Sequence, residues 1–282
     1  MANTYTFGSL CIITGAGSGI GRQLCLQGLS LGAEIIATDI NDNSLQETHR
    51  LSGYDERLSL HTFDISDSVQ IESFFKKISP QLQDRRIILI NNAGTGLLSG
   101  MFNDTNIEDI EWLFGINFWG VVRMTKNCLP AMIKKNDGCI VNVSSVFGLG
   151  GFATQSAYCP TKFAVRGFTE VLRMELNGTN IRTLTVHPGG INTNIARNSK
   201  VSENVLSYRD SSIDDFSKVA ITSPERAAQL IWKAVERNKR RLLIGADAYL
   251  IDIVTRLFPV FYTRIAWRFF KQKFTIPVNP SK

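Results

Sequence analysis

The chain has little of what metal centres and disulfide frameworks are made from. Its 282 residues hold five cysteines (Cys11, Cys25, Cys128, Cys139 and Cys159) and three histidines (His49, His61 and His187). An odd, scattered set of cysteines with no C-x-x-C pair predicts neither disulfides nor a zinc site, and it suits a reducing, cytoplasmic compartment. The histidines lie too far apart in sequence to form a metal motif, so no metal is expected. Also missing is a basic N-terminal segment followed by an apolar core and a cleavage site, so no secretory leader is expected. The body of the chain lacks an excess of basic residues. From Arg237 to Lys282 ten Lys or Arg face two Asp, a local balance of +8 that leaves the remainder near −2 of the total +6. A nucleic-acid-binding protein would carry its basic residues on the folded body, so that class is excluded.

What is present is an alternation of short apolar runs with helical patterns. Ser9 to Thr14 reads as a buried strand, and the turn Gly15-Ala16-Gly17-Ser18-Gly19-Ile20-Gly21 follows it. An apolar helical pattern through Ile20, Leu24, Gly28 and Leu31 comes next. Strand, glycine turn and helix in that order aim backbone N–H groups and a helix N-terminus at a phosphate. A second run, Glu34 to Thr38, ends at Asp39, eighteen residues after Gly21. A carboxylate there can accept hydrogen bonds from both hydroxyls of an adenosine ribose and would repel a 2′-phosphate. Neither Ser18 nor Ile40 offers a compensating cation, so NAD is favoured over NADP.

Further strands are expected at Leu58–Phe63, Arg86–Ile90, Cys139–Ser144, Arg182–His187 and Arg241–Gly245. Helices are expected at Val69–Ile78, Ile107–Leu129, from Ser156 onward, and through Ala227–Val235 after the cap Ser223-Pro224. Seven strands alternating with helices predict one doubly wound α/β parallel sheet. Asn91-Asn92-Ala93-Gly94 suits a tight turn at its carboxyl edge, where nucleotides lie. The Ile107–Leu129 helix is apolar on several faces (Trp112, Phe114, Phe118, Trp119), which predicts burial in the core or against another subunit. Asn117 within it needs buried partners, as a structural strut or as part of a proton path.

The centre of the chemistry is Ser144 to Lys162, SSVFGLGGFATQSAYCPTK. Ser145 ends a strand; Tyr158 and Lys162 share a helix face four residues apart. A phenol beside an ammonium is suited to acid–base work, the charge pulling the tyrosine down from about 10 toward working pH. Cys159 reads as an inert small filler.

Together, TGAGSGIG, Asp39, Asp64, NNAG, Asn117, Ser145, Tyr158-x-x-x-Lys162 and Pro188-Gly189 with Thr193 resemble the short-chain dehydrogenase/reductase family, from about Thr6 to Gly245. The resemblance implies a Rossmann-type catalytic domain over residues 1–245 and a basic, apolar helical extension over 246–282. It implies hydride transfer between a secondary alcohol or ketone and nicotinamide. Tyr158 would be the acid or base, and Ser145 the donor to the developing alkoxide. Lys162 would lower the Tyr158 pKa and hold the nicotinamide ribose, and Asn117 would position a water that links Lys162 to solvent. Cofactor contacts are implied along Gly15, Gly17, Ser18, Gly19, Ile20 and Gly21, at Asp39 and Ile40, and at Asn92, Ala93 and Gly94. Asp64 and Ile65 would bracket the adenine, and Pro188, Gly189, Ile191 and Thr193 would line the carboxamide. The resemblance also implies a homodimer or homotetramer through helices around Trp112 and Phe168. A hydrolase is excluded, because no G-x-S-x-G elbow surrounds Ser145 and His187 suits a packing role. A non-catalytic cofactor sensor would be expected to lack Tyr158 or Lys162, and both are present.

Phe147, Leu149, Phe152 and Ala153 near the nicotinamide end favour a hydrophobic small-molecule substrate: an acyl, steroid, retinoid or aromatic alcohol or ketone. The polar loop Asn194–Thr222 is expected to close over it. Beyond it, Tyr249–Phe274 places Leu250, Ile253, Leu257, Phe261, Ile265 and Phe269 at helical spacing. Four charges and Pro259 interrupt it, which excludes a membrane span. Two readings stay open. One is a basic amphipathic helix lying on an anionic membrane, which would suit lipid-like substrates. The other is a helical pair that covers the cleft or packs on another subunit.

Overall fold

Runs such as LCIIT and IILIN have no polar face to turn to water, so they become central strands buried on both sides. The computed structural model describes residues 4–193, 195, 198–202 and 220–273, with backbone alone from 269 onward. Its main sheet takes strands β1 (Leu10–Thr14), β2 (Glu34–Asp39), β3 (Leu58–Thr62), β4 (Ile87–Asn91), β6 (Gly138–Val143), β7 (Ile181–Pro188) and β9 (Arg241–Ile244). All seven pair in parallel in the order β3-β2-β1-β4-β6-β7-β9. The expected seven-stranded doubly wound α/β sheet is therefore present. Its order reverses between β1 and β4, which opens a crevice at the carboxyl ends of those strands.

Helices α1 (Gly19–Ser30) and α7 (Pro224–Glu236) cover one face, with Leu24, Ile231 and Trp232 in the core. Gly28 lets the two approach: a Cβ there would lie 2.9 Å from both Ile35 Cδ1 and Trp232 Cζ2. The Trp232 indole donates to the Leu24 carbonyl at 3.1 Å, so the large ring is buried with its polar atom satisfied. The Ser223 cap forms as expected, its side chain accepting from the Arg226 N–H at 3.2 Å. Helices α2 (Asp42–Leu51) and α3 (Ser68–Ile78) follow β2 and β3. Phe74, Phe75, Met124 and Met132 build the core on the opposite face.

Three differences from the sequence expectations bear on the site. The single helix expected over Ile107–Leu129 is α4 (Ile107–Phe114), one wide π turn (Gly115–Trp119), then α5 (Gly120–Lys135). Its apolar faces are not all buried, since Trp112 and Trp119 are exposed at 36% and 48% while Leu113, Met124 and Cys128 are enclosed. A two-stranded parallel pairing of β5 (Leu97–Leu98) with β8 (Lys200–Val201) was not expected. Most of the loop Asn194–Thr222 lies outside the described residues. Its described ends are tied by that pairing and by a bridge between Ile191 and Thr222. After β9 come α8 (Ala246–Leu257) and α9 (Phe261–Lys273).

Candidate active site

The glycine turn is built so tightly that side chains are excluded. A Cβ on Gly21 would run into the Gly15 carbonyl and approach Asn92 Nδ2 to 2.7 Å. Gly15 and Gly19 sit at φ +67° and +50°, which favours glycine. Asn92 is a strut for this turn, its amide donating to the Thr14 and Gly15 carbonyls at 2.9 and 3.2 Å. The Ala93 N–H donates to Thr14 Oγ1 at 2.9 Å. Ser18 precedes α1 in extended conformation without capping it through its side chain, and Ile20 is buried behind the turn. Thr193 lies across the turn from the far side, 3.1 Å from where a Gly19 Cβ would be. The cradle thus fits a pyrophosphate: backbone N–H groups at a helix N-terminus with no Cβ in the way.

Asp39 sits at the end of β2, one carboxylate oxygen accepting from Gly17 N–H at 2.9 Å and the other from Asn41 N–H at 3.0 Å. Ile40 beside it is 67% exposed. Arg22, which the sequence reading did not consider, is a nearby cation. Its guanidinium donates to the Gly17 carbonyl, and also to Thr48 Oγ1 at 3.1 Å and the Ser44 carbonyl at 3.4 Å. Those donors stabilise the turn from below. Asp64 accepts from the Ser66 N–H and hydroxyl, both at 2.7 Å, and Ile65 is buried against Gly120.

At the next strand ends the catalytic candidates converge. Tyr158 opens α6 (Tyr158–Glu175), and the Lys162 Nζ one turn later lies 5.6 Å from the phenol ring centroid. Gly148 lets α6 pack this closely, since a Cβ there would meet Ser144 Oγ and the Lys162 carbonyl. Lys162 is only 4% exposed; its ammonium donates to the Val143 carbonyl at 3.3 Å, and burial lowers its pKa to about 8. Ser145 Oγ accepts from the Phe147 N–H at 3.2 Å. The neighbouring Ser145 hydroxyl pulls the phenol pKa down, but burial outweighs it and the net shift is upward. This corrects the sequence expectation, in which the lysine charge dominated: loss of water around the phenol is the larger effect here.

Asn117 is fully buried in the π turn. Its Oδ1 accepts from Thr95 N–H at 2.9 Å, and its Nδ2 donates to the Thr95 carbonyl at 3.0 Å and Thr161 Oγ1 at 3.3 Å. Gly94 lies between it and the lysine, a Cβ there being 3.1 Å from Asn117 Oδ1 and 3.3 Å from Lys162 Nζ. A π turn at a functional position is a recurring device for re-aiming one side chain. These side-chain bonds are those a strut makes, and none of them involves the Asn117 backbone carbonyl.

Pro188 ends β7, and Gly189 N–H donates to the Ile244 carbonyl at 2.8 Å. Asp247, in the first turn of α8, accepts from Gly190 N–H at 2.7 Å and fills the space a Gly189 side chain would need. Ile191 is buried, its carbonyl accepting from Thr193 N–H at 2.8 Å.

Several supporting interactions were not part of the sequence expectations, although His187 as a packing residue and Cys159 as a filler were. His187 is fully buried and its Nδ1 lies 3.1 Å from the Ser145 carbonyl, so in the matching tautomer it donates there and fixes the serine backbone. Burial brings its pKa down to about 4, so it is neutral at physiological pH. Asn91 donates to Thr125 Oγ1 and Asn142 Oδ1, and Asn142 to Thr169 Oγ1, a buried polar chain that joins α5, β4, β6 and α6. Paired asparagines in NNAG were the only signal of it. Cys159 is buried, its thiol pKa raised to about 11, as an inert filler requires. Tyr262 of α9 reaches the loop beside the centre, where its hydroxyl accepts from Gly151 N–H at 2.8 Å. Its ring stands 6.5 Å from Phe152, which stands 5.0 Å from Phe147, itself 5.9 Å from Tyr158.

A dinucleotide cradle and a serine–tyrosine–lysine centre at the same carboxyl edge of the sheet define an oxidoreductase that works with a nicotinamide dinucleotide on CH–OH groups. Residues 9–204 match the profile of the short chain dehydrogenases. SadH of Mycobacterium tuberculosis is 35% identical over 261 residues, which covers 92% of this chain and 94% of SadH. The closed form of a serine dehydrogenase complexed with NADP+ superposes with a TM-score of 0.75 at 26% identity, covering 83% of this chain and 94% of that one. A short-chain dehydrogenase/reductase from Burkholderia phymatum in complex with NAD shares the fold at a TM-score of 0.77 and 22% identity, covering 98% and 99%. The chain belongs to the short-chain dehydrogenase/reductase family. Among the described residues no cluster could hold a metal ion, and no helix is long and apolar enough to cross a membrane.

Proposed function

We propose that the protein interconverts a hydrophobic secondary alcohol and its ketone, with NAD(H) preferred over NADP(H). The observation that carries this reading is the placement of Ser145, Tyr158 and Lys162 together at the sheet's carboxyl edge, with the Lys162 Nζ 5.6 Å from the phenol ring centroid. When bound, the dinucleotide supplies the hydride acceptor or donor. In oxidation Tyr158 Oη takes the substrate hydroxyl proton; in reduction it gives that proton to the forming alkoxide. The Ser145 proton stabilises whichever oxygen carries the charge. Lys162 offsets the burial of the phenolate electrostatically, and Asn117 with Thr95 and Thr161 fixes the backbone that surrounds it. Phe147, Phe152 and Tyr262 give the cleft an aromatic wall, which suits an apolar substrate.

Asp39 supports the preference for NAD: its carboxylate would face a 2′-phosphate and repel it. The exposed Trp112, Trp119, Phe163 and Val171 on α4–α6 suit association into a homodimer or homotetramer. A panel of short, long-chain and polycyclic secondary alcohols and ketones, read by NADH and NADPH absorbance, tests the reading. Turnover is expected with the larger apolar members and NAD(H), and turnover confined to small polar substrates would refute it. Asp39→Ser should lower the NAD-to-NADP ratio of kcat/KM by about tenfold or more; an unchanged ratio would count against the role given to Asp39.

A further inference from the structure

The apolar stripe of the C-terminal helices points away from the protein. Leu250, Ile253, Leu257, Phe261 and Ile265 follow one another at intervals of three or four residues across the joint between α8 and α9, and all five are exposed, from 40% to 67%. Helical geometry puts Arg264, Arg268 and Trp267 on the same outward arc, while Ala248, Ile251, Thr255 and Tyr262 face the catalytic domain. The inward contacts hold the pair in place. Asp252 bridges Arg241 on β9 and Arg256, Asp247 holds Gly190, and Tyr262 bonds Gly151. The spacing that could have marked a buried seam therefore marks an outer surface.

We propose that this surface docks on an anionic lipid bilayer, the stripe entering the interfacial layer and the arginines meeting lipid phosphates and carboxylates. Charge decides between a bilayer and a second copy of the chain. From Ile253 to Lys282 six residues are basic and none acidic. Two such surfaces repel each other, whereas an anionic membrane attracts one, at a strength that grows with each nearby cation. The rest of the chain has no net charge, so the attraction acts on the tail and turns it toward the membrane. The docked helices carry the Gly150–Phe152 loop on their inner side, so the aromatic wall of Phe147, Phe152 and Tyr262 lies about one helix diameter from the lipid. A substrate dissolved in the bilayer then has a short path to Tyr158; this last step rests on the proposed apolar substrate, whereas docking does not.

Flotation of the full chain with extruded vesicles tests docking without any need for turnover. One set is phosphatidylcholine alone and the other contains about 30% phosphatidylserine, each at about 50 and 500 mM NaCl. The protein is expected to float with the anionic vesicles at low salt, and severalfold less with neutral vesicles or at high salt. Leu257→Asp with Phe261→Asp, and separately Arg264→Glu with Arg268→Glu, should each weaken partition by about tenfold or more while dinucleotide binding persists. A readout that does not depend on how those variants fold is quenching of tryptophan emission by brominated lipid, expected in the parent and reduced in Trp267→Phe. Parent protein that stays unbound, or flotation indifferent to salt and to all four substitutions, overturns the proposal. So does a stripe variant that lowers only the oligomer mass.

Discussion

The carboxyl edge of the sheet and the C-terminal helix pair follow opposite burial rules. At the edge, polar groups are inside: Asn91, Asn117, Asn142, Lys162 and His187 are each no more than 4% exposed and each has a named partner. In the helix pair, large apolar groups are outside and their charged neighbours surround them. Burying a polar group without a partner costs roughly 1–3 kcal/mol, so each of these side chains is held by at least one bond, although Asn91 Oδ1 and His187 Nε2 have none of their own. Exposed apolar rows cost the isolated chain little but mark a surface meant for something else. The first region is built for positioning, and the second for contact.

The sharpest break of that comparison is Gly21→Ala. The new methyl would collide with the Gly15 carbonyl and Asn92, so stability should fall by about 1–3 kcal/mol and dinucleotide affinity by more than about tenfold. Urea unfolding and fluorescence titration measure the two. A second test uses pH. The His187 imidazole has its ordinary pKa of about 6.5 when unfolded and about 4 when folded. Its neutral form is the one the fold accepts, so its contribution is fully present above pH 6.5 and is lost as pH falls through about 4. Between those limits the parent should lose up to about 3 kcal/mol that His187→Gln does not lose, read as the difference in urea midpoints at the two ends. The smallest effect is expected where the two regions meet. Tyr262→Phe removes the bond to Gly151 and should raise KM for large apolar substrates about two- to tenfold with kcat unchanged. An equal fall in kcat would mean that the helix pair takes part in the chemistry as well as shaping the cleft.

How much of this was legible in the sequence follows the range of the interactions involved. The strands were legible because a doubly covered strand has to be a continuous apolar run, and boundaries moved by a residue at most. The cradle and the Ser145–Tyr158–Lys162 arrangement were legible because each depends on local spacing. The π turn at Asn117 was not: one extra residue in a turn leaves the apolar periodicity almost unchanged. The tie from His187 to Ser145 spans 42 residues and two strands, beyond the reach of any local pattern. Periodicity found the stripe from Leu250 to Ile265 but not its direction, because a helix face looks the same in sequence whether it meets a core or a membrane. The pKa of Tyr158 was misjudged for a related reason, since burial is a property of the fold and the lysine four residues away is a property of the sequence.

The claim that joins these observations is that Tyr158 exchanges the substrate proton while the surrounding edge only holds it in place. Tyr158→Phe measures this directly, with turnover and dinucleotide binding followed in the same preparation. Turnover is expected to fall by about 10²–10⁴-fold with dinucleotide affinity nearly unchanged. Turnover retained within a few-fold of the parent would contradict the assignment of the proton to this phenol.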